Sequence, residues 1–273
     1  MTMMMKQQML TLLQTLLSYQ GFVIDKSTDK DDILALIDQL KPYTTDKPLI
    51  RIGANGDGGY LVPDDLTGIS TCFSPGVGAF STFEEACANR GMEVHMADYS
   101  VEKPLIEHNR FRFVKKFIGP VTHGAFISMN DWVTSASCND QSDLLLQMDI
   151  EGHEYLTLTS MPDELMQRFR IIVIELHYLG KPWNRDFYAM ASTALHKLLK
   201  SHTCVHIHPN NFCGIEKIRG VEIPRTAEFT FLRNDRIGRK RPHTQFPHPL
   251  DYDNIQNRAI ALPEIWYGQS GQA

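Results

Sequence analysis

Residues 69–100 read ISTCFSPGVGAFSTFEEACANRGMEVHMADYS. An apolar run, Ile69–Phe73, meets the small-residue turn Ser74-Pro75-Gly76-Val77-Gly78. A helical segment follows from Ser81 to about Arg90, and a second apolar run, Met92–Ala97, ends on Asp98. The pattern predicts strand, glycine turn, helix, strand, acid. Glycines at such a turn let the backbone approach a ligand closely, because no Cβ intervenes. An acid about 20 residues on, at the tip of the next strand, can accept hydrogen bonds from ribose hydroxyls. Asp98 stands at that distance from Gly78. The dinucleotide fingerprint asks for a third small position, and Ser81 occupies it in place of glycine. A plain βαβ unit whose glycines only make a tight turn is the competing reading.

Composition narrows the classes. The 273 residues allow one large domain or two small ones, and 42% apolar with 22% charged residues is the balance of a globular protein. A net charge of −5 gives no electrostatic reason to expect nucleic acid as a partner. Five cysteines, Cys72, Cys87, Cys138, Cys204 and Cys213, are scattered without any CxxC spacing. That argues against a disulfide framework or a zinc knuckle and for a reducing compartment. No run approaches the roughly 18 apolar residues that cross a bilayer, and the N-terminus lacks the pattern of a signal peptide. The expected location is cytoplasmic.

Working outward, Met5, Met9, Leu12, Leu13, Leu16 and Leu17 recur at helical spacing and predict a helix over 3–18. It could dock on the body or join two copies into a homo-oligomer. A second helix begins near Ser27–Asp31, where Thr28 and Asp31 have capping-box spacing, and Pro42 stops it. Residues 1–48 read as a helical N-terminal cap, 49–233 as an α/β domain, and 234–273 as a tail packed on it. Residues 51–60, RIGANGDGGY, are a hairpin turn between 49–52 and 60–62, or a wall of a ligand site, or both. Strands are predicted at Phe111–Ile118, Leu144–Met148, Ile171–Ile174, Cys204–His208 and Thr226–Leu232, the last antiparallel. Helices are predicted near Asn130, after Asp149, at Pro162 and over Arg185–Ser201, with a polar loop at 135–142. Strands alternating with helices mean an α/β fold with a mostly parallel sheet.

In open α/β sheets, ligands bind beyond the carboxyl ends of the strands. Those ends carry Ser74–Gly78, Asp98, Asp149–Glu154, Glu175–His177 and His206–Asn211. Five such endings on one edge form the pattern of a site. Asp149 stands at a strand tip, whereas Glu151 suits the first turn of the helix that follows. Glu175 and His177 share a face in extended chain, as do His206 and His208. Arg51, Asp57 and Tyr60 of the glycine loop, with His208, Asn210 and Asn211, are candidate substrate contacts. The basic stretch with Arg236, Arg239, Lys240 and Arg241 is a solvated loop or a clamp on an anionic substrate.

Phe73-Ser-Pro-Gly-Val-Gly with Phe83-Glu84, Met96-Ala-Asp98, and above all residues 144–154, LLLQMDIEGHE, resemble the FkbM-type S-adenosylmethionine-dependent methyltransferases. Gln147 stands where that family usually has lysine, and Ser74-Pro75 replaces the more usual acid-glycine. The resemblance covers about 51–232. It implies a Rossmann-like class I methyltransferase sheet of seven strands, mostly parallel, with the last antiparallel. It implies S-adenosylmethionine as cofactor, with Ser74, Gly76 and Gly78 lining its site and Glu84 supporting that loop. Asp98 would hold the ribose, and Asn130 and Asp131 would sit near the adenine. It also implies O-methylation of a sugar, sugar nucleotide or glycan, in a setting such as capsule or O-antigen synthesis.

Such a transfer needs an acceptor oxygen aligned with the methyl carbon and a group to take the hydroxyl proton. His177 or His153 is the expected base, with Asp149 and Glu175 orienting it. In a metal-assisted variant, Asp149, Glu175 and His177 would bind Mg²⁺ or Mn²⁺. Rival readings are a nicotinamide-dependent oxidoreductase, a metal-dependent hydrolase, and a methyltransferase-like scaffold without catalysis.

Overall fold

The computed structural model describes residues 3–23, 25–78, 81–136, 142–256 and 259–268. Helix α1 (Met3–Ser18) and helix α2 (Lys30–Leu40) come first, then strands β1 (Tyr43–Thr45), β2 (Leu49–Gly53), β3 (Gly59–Pro63) and β4 (Thr71–Pro75). Helix α3 (Thr82–Asn89) leads to β5 (Glu93–Ala97), β6 (Phe111–Val114), β7 (Phe117–Gly119) and β8 (Phe126–Ser128). Next are α4 (Met129–Ser135), β9 (Leu144–Met148), α5 (Glu154–Ser160), α6 (Asp163–Arg168) and β10 (Phe169–Leu176). The chain continues through α7 (Arg185–Leu199), β11 (His202–Pro209), β12 (Ile215–Ile218), β13 (Val221–Pro224), β14 (Ala227–Arg233) and β15 (Lys240–Pro242).

Seven strands form the central sheet in the order β11-β14-β10-β9-β4-β5-β6. Neighbours from β10 to β6 run parallel, and β14 runs antiparallel between β10 and β11. This is the strand order of the class I methyltransferase fold. Its central strands are apolar on both faces because both faces are covered. Phe73, Leu144, Leu146, Ile172 and Ile174 enter one core, under α2, α5 and α7. Cys72, Leu145, Ile171 and Val173 alternate with them into a second core, under α3 and the β2–β3 hairpin. That period of two is the pleat itself.

The tandem Asn-Gly and Asp-Gly residues do make the β2–β3 hairpin turn, with Gly53 opposite Gly59. The expected strand over 111–118 is broken into β6, which joins the sheet, and β7, which pairs with β8 instead. Residues 137–141 of the expected polar loop lie outside the described residues. The capping box at Thr28 and Asp31 does not form: the residue preceding α2 is Asp29, its side chain makes no cap bond, and the Thr28 hydroxyl is buried without a partner. Burial of Ile33, Leu36, Ile37 and Leu40 docks α2 instead. The tail is anchored by buried Trp266, whose indole N–H donates to Glu222 O at 3.2 Å.

Ion pairs gather at the edge where the parallel strands begin. Arg170 and Arg233 both bind Asp143, at 2.7 and 2.6 Å, and Arg236 grips Asp65 at 2.7 and 2.9 Å. Lys240 and Arg241 lie in β15, paired with β1. The basic stretch therefore fastens the tail at the edge opposite the carboxyl ends. It forms neither a free loop nor a clamp beside the other predicted site residues.

Candidate functional site

A cleft of about 920 Å³ opens at the carboxyl ends of β4 and β5. Gly76, Gly78, Asp98 and Asp149 line it, with an apolar wall of Phe117, Ile118 and Phe126. Gly76 takes φ 88°, and a Cβ there would lie 1.5 Å from Asp149 O. The β4 turn is thus pressed against the end of β9. Gly78 meets nothing within 4 Å and leaves open space in the cleft. Asp98 stands at the tip of β5, where its Oδ1 accepts from Ser100 N and Oγ, both at 2.7 Å. Asn130 and Asp131 are not in the cleft wall. Both are exposed, and the Asp131 carboxylate accepts from the Thr122 hydroxyl while its N–H donates to Ser128 Oγ at the start of α4. Phe117, Ile118 and Phe126 line the cleft instead. Sequence gave no sign of this, because the β7–β8 pairing that brings those residues together is non-local.

Ser74 is fully buried and turns its hydroxyl beneath the glycine turn, not into the cleft. Its Oγ lies 2.5 Å from Glu84 Oε1 and 2.7 Å from Gln147 Oε1. A hydroxyl has one proton and cannot donate to both. Burial pushes the Glu84 carboxyl up, against the pull of the Ser74 bond. A protonated Glu84 donating to Ser74, which donates to Gln147, accounts for both short contacts of the hydroxyl. Gln147 Nε2 then donates to Tyr60 OH at 3.1 Å. This leaves the Tyr60 hydroxyl proton free for a small polar pocket of about 120 Å³, shared with Asp57, Gly76, Gly78 and Asp149. Gln147, where lysine is usual in the resembling family, adds no charge to this chain.

The acidic centre lies beside this pocket. Residue pairing sets Glu175 next to Glu228 and Glu228 next to His208 across β10, β14 and β11. Asp149 follows the β9 residue paired with Ile174. Burial raises the Asp149 carboxyl well above its usual range, and the neighbouring Glu175 adds to this. Glu175 is raised by burial too, but Asn210 Nδ2 donates to its Oε1 at 2.7 Å and favours its charge. Burial takes Glu228 to about 8.

His177 Nδ1 lies 3.0 Å from Glu154 Oε1, which also accepts from Ile150 N and Gly152 N. Its Nε2 faces Glu151 Oε2 at 3.4 Å, Asp149 Oδ1 at 3.9 Å and Glu175 Oε2 at 4.0 Å. Burial opposes charge on the ring, but Glu154, Glu175 and Asp149 together raise it to about 9. These acidic neighbours favour the charged ring, whereas a general base works from the neutral one. The other candidate base, His153, is exposed on the cleft wall 5.4 Å from the Phe126 ring. The Asp-Ile-Glu-Gly run owes its shape to a backbone turn. Glu151 adopts φ 56°, and a Cβ on Gly152 would come 2.3 Å from the Tyr178 ring.

The predicted substrate contacts separate. Asp57 and Tyr60 face the polar pocket, and Asn210 reaches Glu175. Arg51 is occupied by the hairpin and tail: it donates to Ala54 O, Gly56 O and Leu250 O and stacks on Tyr252. Asn211 pins the tail through Ile255. His208 is buried between Glu228 and Asp251.

No family model matches the chain, so the FkbM resemblance rests on its motifs, and no curated protein matches it in sequence. Among solved structures, the chain is similar to a prophage-encoded protein of E. coli described as a DNA modification methyltransferase. That match has a TM-score of 0.39 and 11% identity over 60% of this chain and 47% of that one. It is also similar to magnesium protoporphyrin IX methyltransferase from Synechocystis PCC 6803 with bound SAM (TM-score 0.32, 12% identity, 62% of this chain, 72% of that one). A third similar structure is EvdMO1 (TM-score 0.32, 11% identity, 75% of this chain, 47% of that one). The chain spans about half the length of the first and third of these.

Proposed function

We propose that the chain is an S-adenosylmethionine-dependent O-methyltransferase acting on a hydroxyl of a sugar or glycan. The observation that carries this reading is Asp149, which lines both the large cleft and the polar pocket and stands beside Glu175 and His177. The cleft fits the cofactor by its chemistry: an apolar slot for a purine and Asp98 for ribose hydroxyls, with the polar pocket of Tyr60 and Asp57 adjoining it at Gly76, Gly78 and Asp149. When bound, S-adenosylmethionine supplies a methyl carbon activated by its sulfonium. Asp98 holds the ribose, and the glycine turn lets the backbone close on the ligand. An acceptor hydroxyl held at the polar pocket, in line with that carbon, would receive the methyl group. The hydroxyl proton would pass to the buried Asp149–Glu175 pair, where Asn210 Nδ2 donates to Glu175 Oε1 and favours its charged form. The sulfonium charge is thus exchanged for a proton on the enzyme, later released to water.

Among the described residues, the rim around this point offers carboxylates and an amide, and Arg51 is engaged by backbone carbonyls. That suits a neutral polyol better than a sugar diphosphate. The test is titration calorimetry with S-adenosylmethionine, S-adenosylhomocysteine and NAD on the natural chain and on Asp98→Ala. Micromolar binding of the adenosyl ligands, weakened at least 10-fold by the substitution, is expected. Binding of NAD alone, or of no ligand, would overturn the reading.

A further inference from the structure

We propose that Asp149, Glu151 and His177 form a divalent-cation site between the cofactor cleft and the acceptor side. One ligand atom each from Asp149, Glu151 and His177 lies within 4.8 Å of the other two. The two separations from His177 Nε2 are 3.4 and 3.9 Å. Ligands about 2.1 Å from one ion stand about 3 Å apart when cis on an octahedron and about 4.2 Å apart when trans. The three atoms therefore already bracket a point that one ion could occupy, with small side-chain adjustment.

Two features set this group apart from an ordinary acidic patch. One is Asp149 Oδ1, which is buried and has no hydrogen-bond partner although it faces His177 Nε2. A buried carboxylate oxygen left without a donor is costly, and a cation is the natural occupant of its lone pairs. The other is the orientation of the imidazole. Glu154, fully buried, takes the Nδ1 proton at 3.0 Å, and its own Oε1 is fixed by two backbone N–H groups. Metal-binding histidines are held in this way by a carboxylate on the second ring nitrogen, and an ion at Nε2 would displace the proton that the neighbouring acids favour there. Glu175 Oε2, 4.0 Å from Nε2, stands just outside the triad, where it can accept from an ion-bound water or hydroxyl. The ligand set therefore contains Glu151 in the place that sequence reading gave to Glu175. The left-handed turn at Glu151 is what swings it over the ring.

One imidazole with two carboxylates is a mixed nitrogen–oxygen set, suited to Mn²⁺ or a similar first-row ion and open to water or substrate at its remaining positions. The role of the ion rests on the methyl-transfer reading: it would bind the acceptor oxygen and make its proton easier to remove. Occupancy of the site does not depend on that reading.

The probe is Mn²⁺, added to the full chain stripped with EDTA and followed by electron paramagnetic resonance and calorimetry. One ion per chain is expected, with hyperfine coupling to an imidazole nitrogen. Glu151→Gln should weaken binding at least 10-fold, and His177→Gln should abolish the nitrogen coupling. Glu151 is 87% exposed on its side chain, so its replacement leaves the fold intact, as circular dichroism will verify. S-adenosylhomocysteine affinity is measured on the same EDTA-treated samples. If that ligand binds and Mn²⁺ does not, or if Mn²⁺ binds without nitrogen coupling and ignores Glu151→Gln, the cation site is overturned and the cofactor reading stands. If Mn²⁺ binds as expected and no adenosyl ligand does, the site stands and the methyltransferase reading falls.

Discussion

At the scale of single residues, the decisive quantity is how many protons the buried polar chain holds. Ser74 faces two oxygens, at 2.5 and 2.7 Å, and a protonated Glu84 is one arrangement that reconciles them. Glu84→Gln puts an amide donor where the acid proton was. We expect it to keep stability within about 1 kcal/mol, whereas Glu84→Ala should lose about 2–4 kcal/mol by leaving a cavity and an unpaired hydroxyl. Urea denaturation of both variants decides the matter, and equal damage would show that Glu84 is ionised. The two glycines of the turn make a second contrast. Gly76→Ala forces a Cβ against Asp149 O in a left-handed conformation and should cost more than about 3 kcal/mol. Gly78→Ala meets no protein atom and should leave the melting temperature within about 2 °C while weakening S-adenosylhomocysteine binding. The reverse ranking of the two melting temperatures would refute this account of the turn.

At the scale of elements, β11 carries a built-in sensitivity to acid. His202 begins the strand, buried, with Nε2 2.7 Å from Phe169 O and Nδ1 2.8 Å from Ser201 Oγ. Burial, aided by Arg233 and opposed by the Phe169 bond and Asp235, lowers its pKa to about 4. The unfolded chain takes up this proton near pH 6.5, and the folded chain only near 4. The stability held above 6.5 is therefore lost as the pH falls between those values, by about 3 kcal/mol. Thermal melts from pH 7 to 4 on the natural chain and on His202→Gln should show a steeper decline in the former. Parallel slopes would place the acid lability elsewhere. The strands that mattered most were legible because a buried parallel strand announces itself twice. It is a continuous apolar run, and it ends on the polar residues that leave the core. Leu144–Met148 was read to its exact bounds, and Ile171–Ile174 lies within β10. Elements defined by distant partners were not legible. Neither β1 with β15 nor β7 with β8 has an apolar run of its own. The site was legible as a group of strand tips, but its division of labour was not. Which oxygen faces His177 depends on the φ of Glu151, and sequence favoured a helical first turn there. Arg51 looked available because its acceptors are carbonyls, which no sequence pattern records.

At the scale of the whole molecule, α1 stands out. Of its side chains described, only Gln14 and Leu17 are half-buried, and Met5, Met9, Leu12 and Leu16 are exposed. No helix of the described residues is long and apolar enough to cross a membrane. We propose that α1 joins two copies of the chain. Removing residues 1–24 should halve the mass measured by light scattering and move the melting temperature by less than about 4 °C. An unchanged mass would assign any self-association to another surface. The central sheet has a further consequence in time. β14 lies between β10 and β11, yet is made after both. A nascent chain that has not yet reached residues 227–233 lacks the strand that pairs with both β10 and β11. Glu228, in the middle of the acidic row, comes in with that strand. The nascent protein therefore assembles its glycine turn early and completes its charged rim last. A chain halted before residue 227 is expected to emerge as a sticky half-sheet that draws chaperones.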